Sequence, residues 1–227
     1  MKKTFAGFSV VAMAGLAVAA IAVGAVHPIT TNDYDPGCAP GPGGVGLQGD
    51  SANDVIIGTA NRDLLRGGGG SDSISGLGDN DCLDGQAGLD TVHGNGGADL
   101  VTGGSNADVL FGDDGPDLIK GGFANDTLWG GDGDDDLNGI DGNDTINGQV
   151  GNDTLAGNDD NDTIQGGDDN DDISGTDGAD DLSGGNGNDI LRGGNGNDHL
   201  VCGPGNDTAI GGPGADNIDP SCETIND

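Results

Sequence analysis

The sequence predicts an all-β chain wound as a two-sided β-solenoid, with eighteen residues to each turn. Three observations predict it. An Asp recurs every nine residues without a miss from Asp54 to Asp216. An aliphatic residue stands two places after each Asp, with Ala209 the one small member of the series. Gly stands four places after each Asp, except where Cys202 and Pro220 replace it. A fixed short period of this kind marks stacked units that bury a core only against their neighbours.

Each unit reads roughly Asp-x-Leu/Ile-x-Gly-Gly-x-Gly-Asn. The x-Leu-x triplet is too short for a helix. It fits a very short strand, with the aliphatic inward and its neighbours outward. The Gly-, Asn- and Asp-rich remainder of each unit turns the chain, because Gly adopts positive φ freely and Asn and Asp tolerate it. One unit crosses one side of the molecule, two complete a circuit, and circuits stack about 4.8 Å apart. Gly also fills most places two before the Asp. Asn61, Asp79, Asn106, Asp160 and Asp169 are substitutes that accept left-handed backbone, whereas Ala52 and Ala124 fit less well. Strain or a weak site is therefore expected before Asp126.

The segments around the repeat read differently. In residues 1–25, Lys2 and Lys3 precede the apolar run Val10 to Val23, and Val23-Gly24-Ala25 offers small residues for cleavage. This is the pattern of a secretory signal peptide ending at Ala25; the other reading is an uncleaved membrane anchor. No later stretch is long and apolar enough to span a bilayer. Residues 26–44 form an irregular leader and cap, in which Pro28, Pro36, Pro40 and Pro42 deny a helix and Tyr34 and Cys38 are the anchors. The repeat occupies 45–219. It opens on the degenerate unit Val45-Gly46-Leu47-Gln48-Gly49, where Val45 stands in place of Asp. Residues 220–227 form a carboxy-terminal cap. The four cysteines of an exported chain suggest local pairs, Cys38 with Cys82 and Cys202 with Cys222. Free thiols or a metal site are the alternatives, and no C-x-x-C spacing supports the metal.

Charge sets the chemistry. The 227 residues include 50 Gly and 40 acidic residues against six Lys or Arg, for a net charge of -34. Nucleic acid is excluded as a partner, because binding it needs a basic footprint. In a stacked solenoid the aspartates form two columns. Asp54, Asp72, Asp90, Asp108, Asp126, Asp144, Asp162, Asp180 and Asp198 make one; Asp63, Asp81, Asp99, Asp117, Asp135, Asp153, Asp171, Asp189 and Asp207 make the other. Like charges in columns repel and favour the expanded chain. A core of single small aliphatics in a glycine-rich chain does little to offset that. A hard cation between circuits would. Carboxylates and turn carbonyls are what Ca²⁺ takes, with about six to eight oxygens at roughly 2.3–2.6 Å. Mg²⁺ asks for a stricter octahedron, and His27, His93 and His199 lie at unrelated positions that do not suit zinc. The eighteen aspartates are thus the expected ligands of several Ca²⁺ ions, with binding coupled to folding.

These units resemble the repeats-in-toxin, or haemolysin-type, calcium-binding nonapeptide G-G-x-G-x-D-x-U-x. Good copies are Gly130-Gly131-Asp132-Gly133-Asp134-Asp135-Asp136-Leu137-Asn138 and Gly184-Gly185-Asn186-Gly187-Asn188-Asp189-Ile190-Leu191-Arg192. The resemblance covers about 170 residues. It implies a calcium-dependent parallel β-roll, with the sixth-place Asp as the side-chain ligand. Two departures matter. The export signal is at the amino terminus with no room for a toxin or enzyme domain, and cysteines are present. Pore formation and proteolysis are therefore not carried over.

No catalytic motif stands out: there is no H-E-x-x-H, no G-x-S-x-G and no phosphate loop. The chain is read as not an enzyme, and His93 and His199 as solvated surface residues. Phe111 and Trp129, eighteen residues apart, should be neighbours on one outer face with Val109 beside them, while Lys120 belongs to the opposite face. They either protect a glycine-rich sheet or form a contact patch for a cell-surface or polysaccharide partner. The favoured function is a secreted or cell-surface calcium-binding structural module of a bacterium. The alternatives are calcium-dependent adhesion or carbohydrate binding through an outer face, and plain calcium buffering.

Overall fold

The computed structural model describes residues 21–23, 27–28 and 38–226. Residues 1–20, Ala25 and Tyr34, on which the leader reading partly rests, lie outside them. The described chain is a parallel β-roll of two sheets, one of eleven strands and one of twelve, and consecutive units alternate between them. Through the body of the roll, partners within a sheet are eighteen residues apart. Leu110 pairs with Leu128 and Leu128 with Ile146 in one sheet, and Ile119 with Leu137 and Leu137 with Leu155 in the other. Between the sheets lies one aliphatic from each unit; every one from Leu47 to Leu200 is at most 3% exposed.

The strands are longer than the triplet expected. Most run six residues, as in Thr127–Asp132 and Thr154–Asp159, and only a short turn separates them. The ladder continues past the inward Gly, so that Asp113 pairs with Gly131 and Asp114 with Asp132. It does so although the residue five places after the Asp takes positive φ, as at Asp113 (73°) and Ile140 (90°). Stacked circuits need the same backbone path, not an extended one, so left-handed residues can align their N–H and C=O groups along the axis. Ile140 and Leu77 (φ 87°) are held there at a cost, because side chains with a Cβ crowd the following carbonyl. Ala124 does take left-handed backbone, at φ 80°; Ala52 is not among the positive-φ residues.

The ends depart from the parallel pattern. Ile21–Val23, within the stretch read as a signal peptide, runs antiparallel to Val55–Ile57, and His27–Pro28 runs antiparallel to Gly46–Gln48. The leader is therefore not wholly irregular. Cys38 is bonded to Cys82, and Gly41 N–H donates to the Arg62 carbonyl at 2.8 Å, which holds residues 38–44 against the first circuits. At the other end Cys202 is bonded to Cys222. The terminal segment is more than a cap: Thr224–Asn226 adds a parallel strand to Thr208–Ile210. Along the corners, asparagines form ladders. Asn170 and Asn188 donate their backbone N–H groups to the amide oxygens of Asn152 and Asn170, at 3.3 and 2.9 Å.

Candidate metal sites in the aspartate columns

The aspartate that opens each unit sits where the turn ends, immediately before the outward residue of the next strand. Its side chain points inward, and from Asp54 to Asp207 all are at most 3% exposed. From Asp72 to Asp216, each carboxylate accepts a hydrogen bond through Oδ1 from the backbone N–H of the aspartate one circuit earlier. Asp108 N–H donates to Asp126 at 2.7 Å, Asp126 N–H to Asp144 at 2.8 Å, and Asp117 N–H to Asp135 at 2.8 Å. The columns are thus continuous hydrogen-bonded chains along the axis. From Asp72 to Asp207, the second carboxylate oxygen of every core Asp is buried without a hydrogen-bond partner.

That orphaned oxygen faces the inward Gly of the preceding unit. A Cβ on Gly130 would lie 2.4 Å from Asp135 Oδ2 and 2.6 Å from the Gly148 carbonyl oxygen of the next circuit. Gly148 repeats this with Asp153 and Gly166, at 2.1 and 2.8 Å. A carboxylate oxygen and a backbone carbonyl therefore converge on the space a side chain would fill. Among the described residues, no three His, Cys, Asp or Glu side chains converge on one point. A cation here would be held by single carboxylates together with backbone carbonyls. This donor set is all oxygen, and it fits Ca²⁺ rather than zinc.

Electrostatics agree. Burial pushes the Asp81 carboxyl up to about 8 and those of Asp108, Asp117, Asp126, Asp162 and Asp171 to about 7. The N–H bond from the preceding aspartate opposes the shift, and neighbouring carboxylates of the same column add to it. With protein atoms alone, these six carboxyls hold protons near neutrality. Burying a charge is costly unless an opposite charge accompanies it.

Not all predicted ligands are alike. Asp63 accepts backbone N–H bonds from Val45 on Oδ1 and Thr59 on Oδ2, so neither oxygen is free. In Asp54 the orphan is Oδ1, and Oδ2 accepts from Asp50 N–H at 3.0 Å. The columns close on residues of different kinds. Asp216 accepts from Asp198 N–H at 3.1 Å, and Glu223, which breaks the nine-residue phase, accepts from Asp207 N–H at 2.7 Å. Nothing in the period singles out Glu223.

On the outer face, Phe111 pairs with Trp129 and Val109 with Thr127 in register. His93 faces outward and remains partly exposed, as expected, and it also belongs with them. Its ring stacks on Phe111 at 4.3 Å and Phe111 on Trp129 at 6.4 Å, and its Nδ1 lies 2.9 Å from Asp113 Oδ2. The signal was present: His93 lies one circuit before Phe111.

Among curated proteins, no sequence matches the chain. The family model described as the RTX calcium-binding nonapeptide repeat (4 copies) matches residues 48–81, 78–110, 111–146, 138–173, 147–182, 165–200, 174–209 and 192–220. These matches run with little interruption from the first full circuits to the closing ones, and the residues they cover carry the two aspartate columns. The chain belongs to the RTX calcium-binding nonapeptide repeat family.

Proposed function

We propose that this chain is an exported structural module whose roll is completed and stiffened by Ca²⁺ held between successive circuits. One observation carries the reading: the two rows of buried carboxylate oxygens that lack any partner. When bound, Ca²⁺ supplies the positive charge and the oxygen coordination those rows lack. The chain's own part is to present ligands. Asp72 to Asp207 offer Oδ2, and the inward glycines offer carbonyls through the space their missing side chains leave. The aliphatic column alone gives each circuit one contact per sheet, whereas a cation bridging circuits ties both turns. Lys2, Lys3, the run Val10 to Val23 and Ala25 support export, and the module would act outside the cell or on its surface. It has no role as a catalyst in this reading.

The test is a calcium titration of the chain at pH 8, followed by far-ultraviolet circular dichroism, with bound metal counted after dialysis. A cooperative gain of strand signal with several ions bound is the expected outcome. Full strand signal in excess chelator at that pH would overturn the reading.

A further inference from the structure

Beyond the stacked rings, the same outer face changes character. One circuit after Trp129, its column continues with Asn147 and then Gln165. Here a shallow groove of about 400 Å³ runs along the axis, between the Asn147–Gln165 column and the Asp168–Asn186 column, with Gln149 at one end. Its floor is Gly167 and Gly185, whose lack of side chains opens it. The Asn147 amide donates to Gln165 Oε1 at 3.4 Å, and Asn186 donates to Asp168 at 2.7 Å. The Gln149 amide has no hydrogen-bond partner within the described residues.

We propose that this groove binds a neutral oligosaccharide, with Trp129 at its entrance. Amide side chains offer donors and acceptors side by side, which is what vicinal hydroxyl groups require. The groove repeats those amides at about 4.8 Å per circuit, so it suits an extended chain of sugars rather than one small molecule. The Phe111 and Trp129 rings run nearly parallel with centroids 6.4 Å apart, and the next residue of that column after Trp129 is Asn147, the first of the amides. Trp129 adds an apolar ring and an N–H donor beside those amides, a mixed surface that suits a sugar's own mix of C–H and hydroxyl groups. Charge selects the class. The groove contains no Lys or Arg, and its one acidic side chain is Asp168, so uronic acid or sulfated chains are repelled.

Trp129 is the only tryptophan in the chain, so its fluorescence reports on the entrance directly. The calcium-loaded chain is titrated with cello-, laminari- and malto-oligosaccharides, and separately with oligogalacturonate. Circular dichroism in the same solutions verifies that the roll is folded, which separates failure of this site from failure of the calcium reading. The expected result is a saturable fluorescence change with at least one neutral series. Asn147→Ala and Gln165→Ala should each weaken it about tenfold, as loss of a hydrogen-bonding group does. Lys120→Ala, on the opposite sheet, should leave it unchanged. No saturable change on a folded roll, equal affinity in the amide variants, or equal binding of oligogalacturonate would each overturn the proposal.

Discussion

The Asp63 carboxylate is shared between the backbone N–H groups of Val45 and Thr59, whereas Asp135, four circuits on in the same column, has one oxygen buried and unbonded. The two carboxylates, identical in the repeat, therefore have different work. Asp63→Asn should cost about 1–3 kcal/mol of stability, because it removes hydrogen bonds to a charged group, and should leave the number of bound ions unchanged. Asp135→Asn should lower the count. Metal analysis after dialysis, beside thermal melts, distinguishes them.

The pH dependence has opposite signs with and without calcium. A core carboxylate whose pKa is raised to about 7 or 8, as at Asp108 or Asp81, binds more protons folded than unfolded from roughly pH 4 upward. Its contribution to stability is present below that window and is lost as pH rises through the folded value. The calcium-free chain should therefore gain strand signal between pH 8 and pH 5. In calcium, protons compete for the same oxygens, and the calcium concentration at the folding midpoint should rise as pH falls. Circular dichroism of dialysed protein checks both trends.

Glycine substitutions should also separate by site. Gly130→Ala sets a Cβ against both Asp135 Oδ2 and a backbone carbonyl, neither of which can withdraw without disturbing the column. It should destabilise by about 1–3 kcal/mol and reduce calcium uptake. Ala124→Gly should act the other way. Ala124 is held at φ 80°, and relief of that crowding, less the entropy glycine adds to the unfolded chain, should gain about 0.5–1 kcal/mol. Melting temperatures in saturating calcium measure each.

Cys202 is fully buried and bonded to Cys222, which closes the last circuit over the end of the core. The Cys202→Ser/Cys222→Ser pair should cost about 3 kcal/mol, the order expected for a loop of this size. Amide exchange should show the loss concentrated in Thr208–Ile210 and Thr224–Asn226, with the middle of the roll protected as before.

Period and phase made much of this legible. Asp54 to Asp216 announced two columns, and the aliphatic two places on fixed which side chain of each strand faces inward. What escaped depends on relations between circuits that a single unit does not encode. Strand length was underestimated because Asp113 and Ile140 extend the ladder while left-handed, and stacking of like on like tolerates a conformation that pattern reading treats as a turn. Asn152 and Asn170 looked like turn formers, yet their amides also bond across circuits. His93 joins the aromatic column only through its place one circuit before Phe111. Asp63 fits the repeat perfectly, and its Oδ1 takes the usual bond from eighteen residues earlier; the Thr59 N–H on Oδ2 is what sets it apart, and no single unit encodes it.

In each aspartate column every N–H donates in the same direction, from one circuit to the next, so the two ends of the roll are not interchangeable. The amino-terminal end presents acceptors: Val45 N–H meets Asp63 Oδ1, while Asp54 Oδ1 is left without a donor; the carboxy-terminal end is the reverse, and Asp216 and Glu223 complete it. Plug and socket are thus built from different chemistry. Between them, length is a free variable in whole circuits: excising eighteen residues preserves both fittings, whereas excising nine exchanges the columns and presents each fitting with the wrong mate.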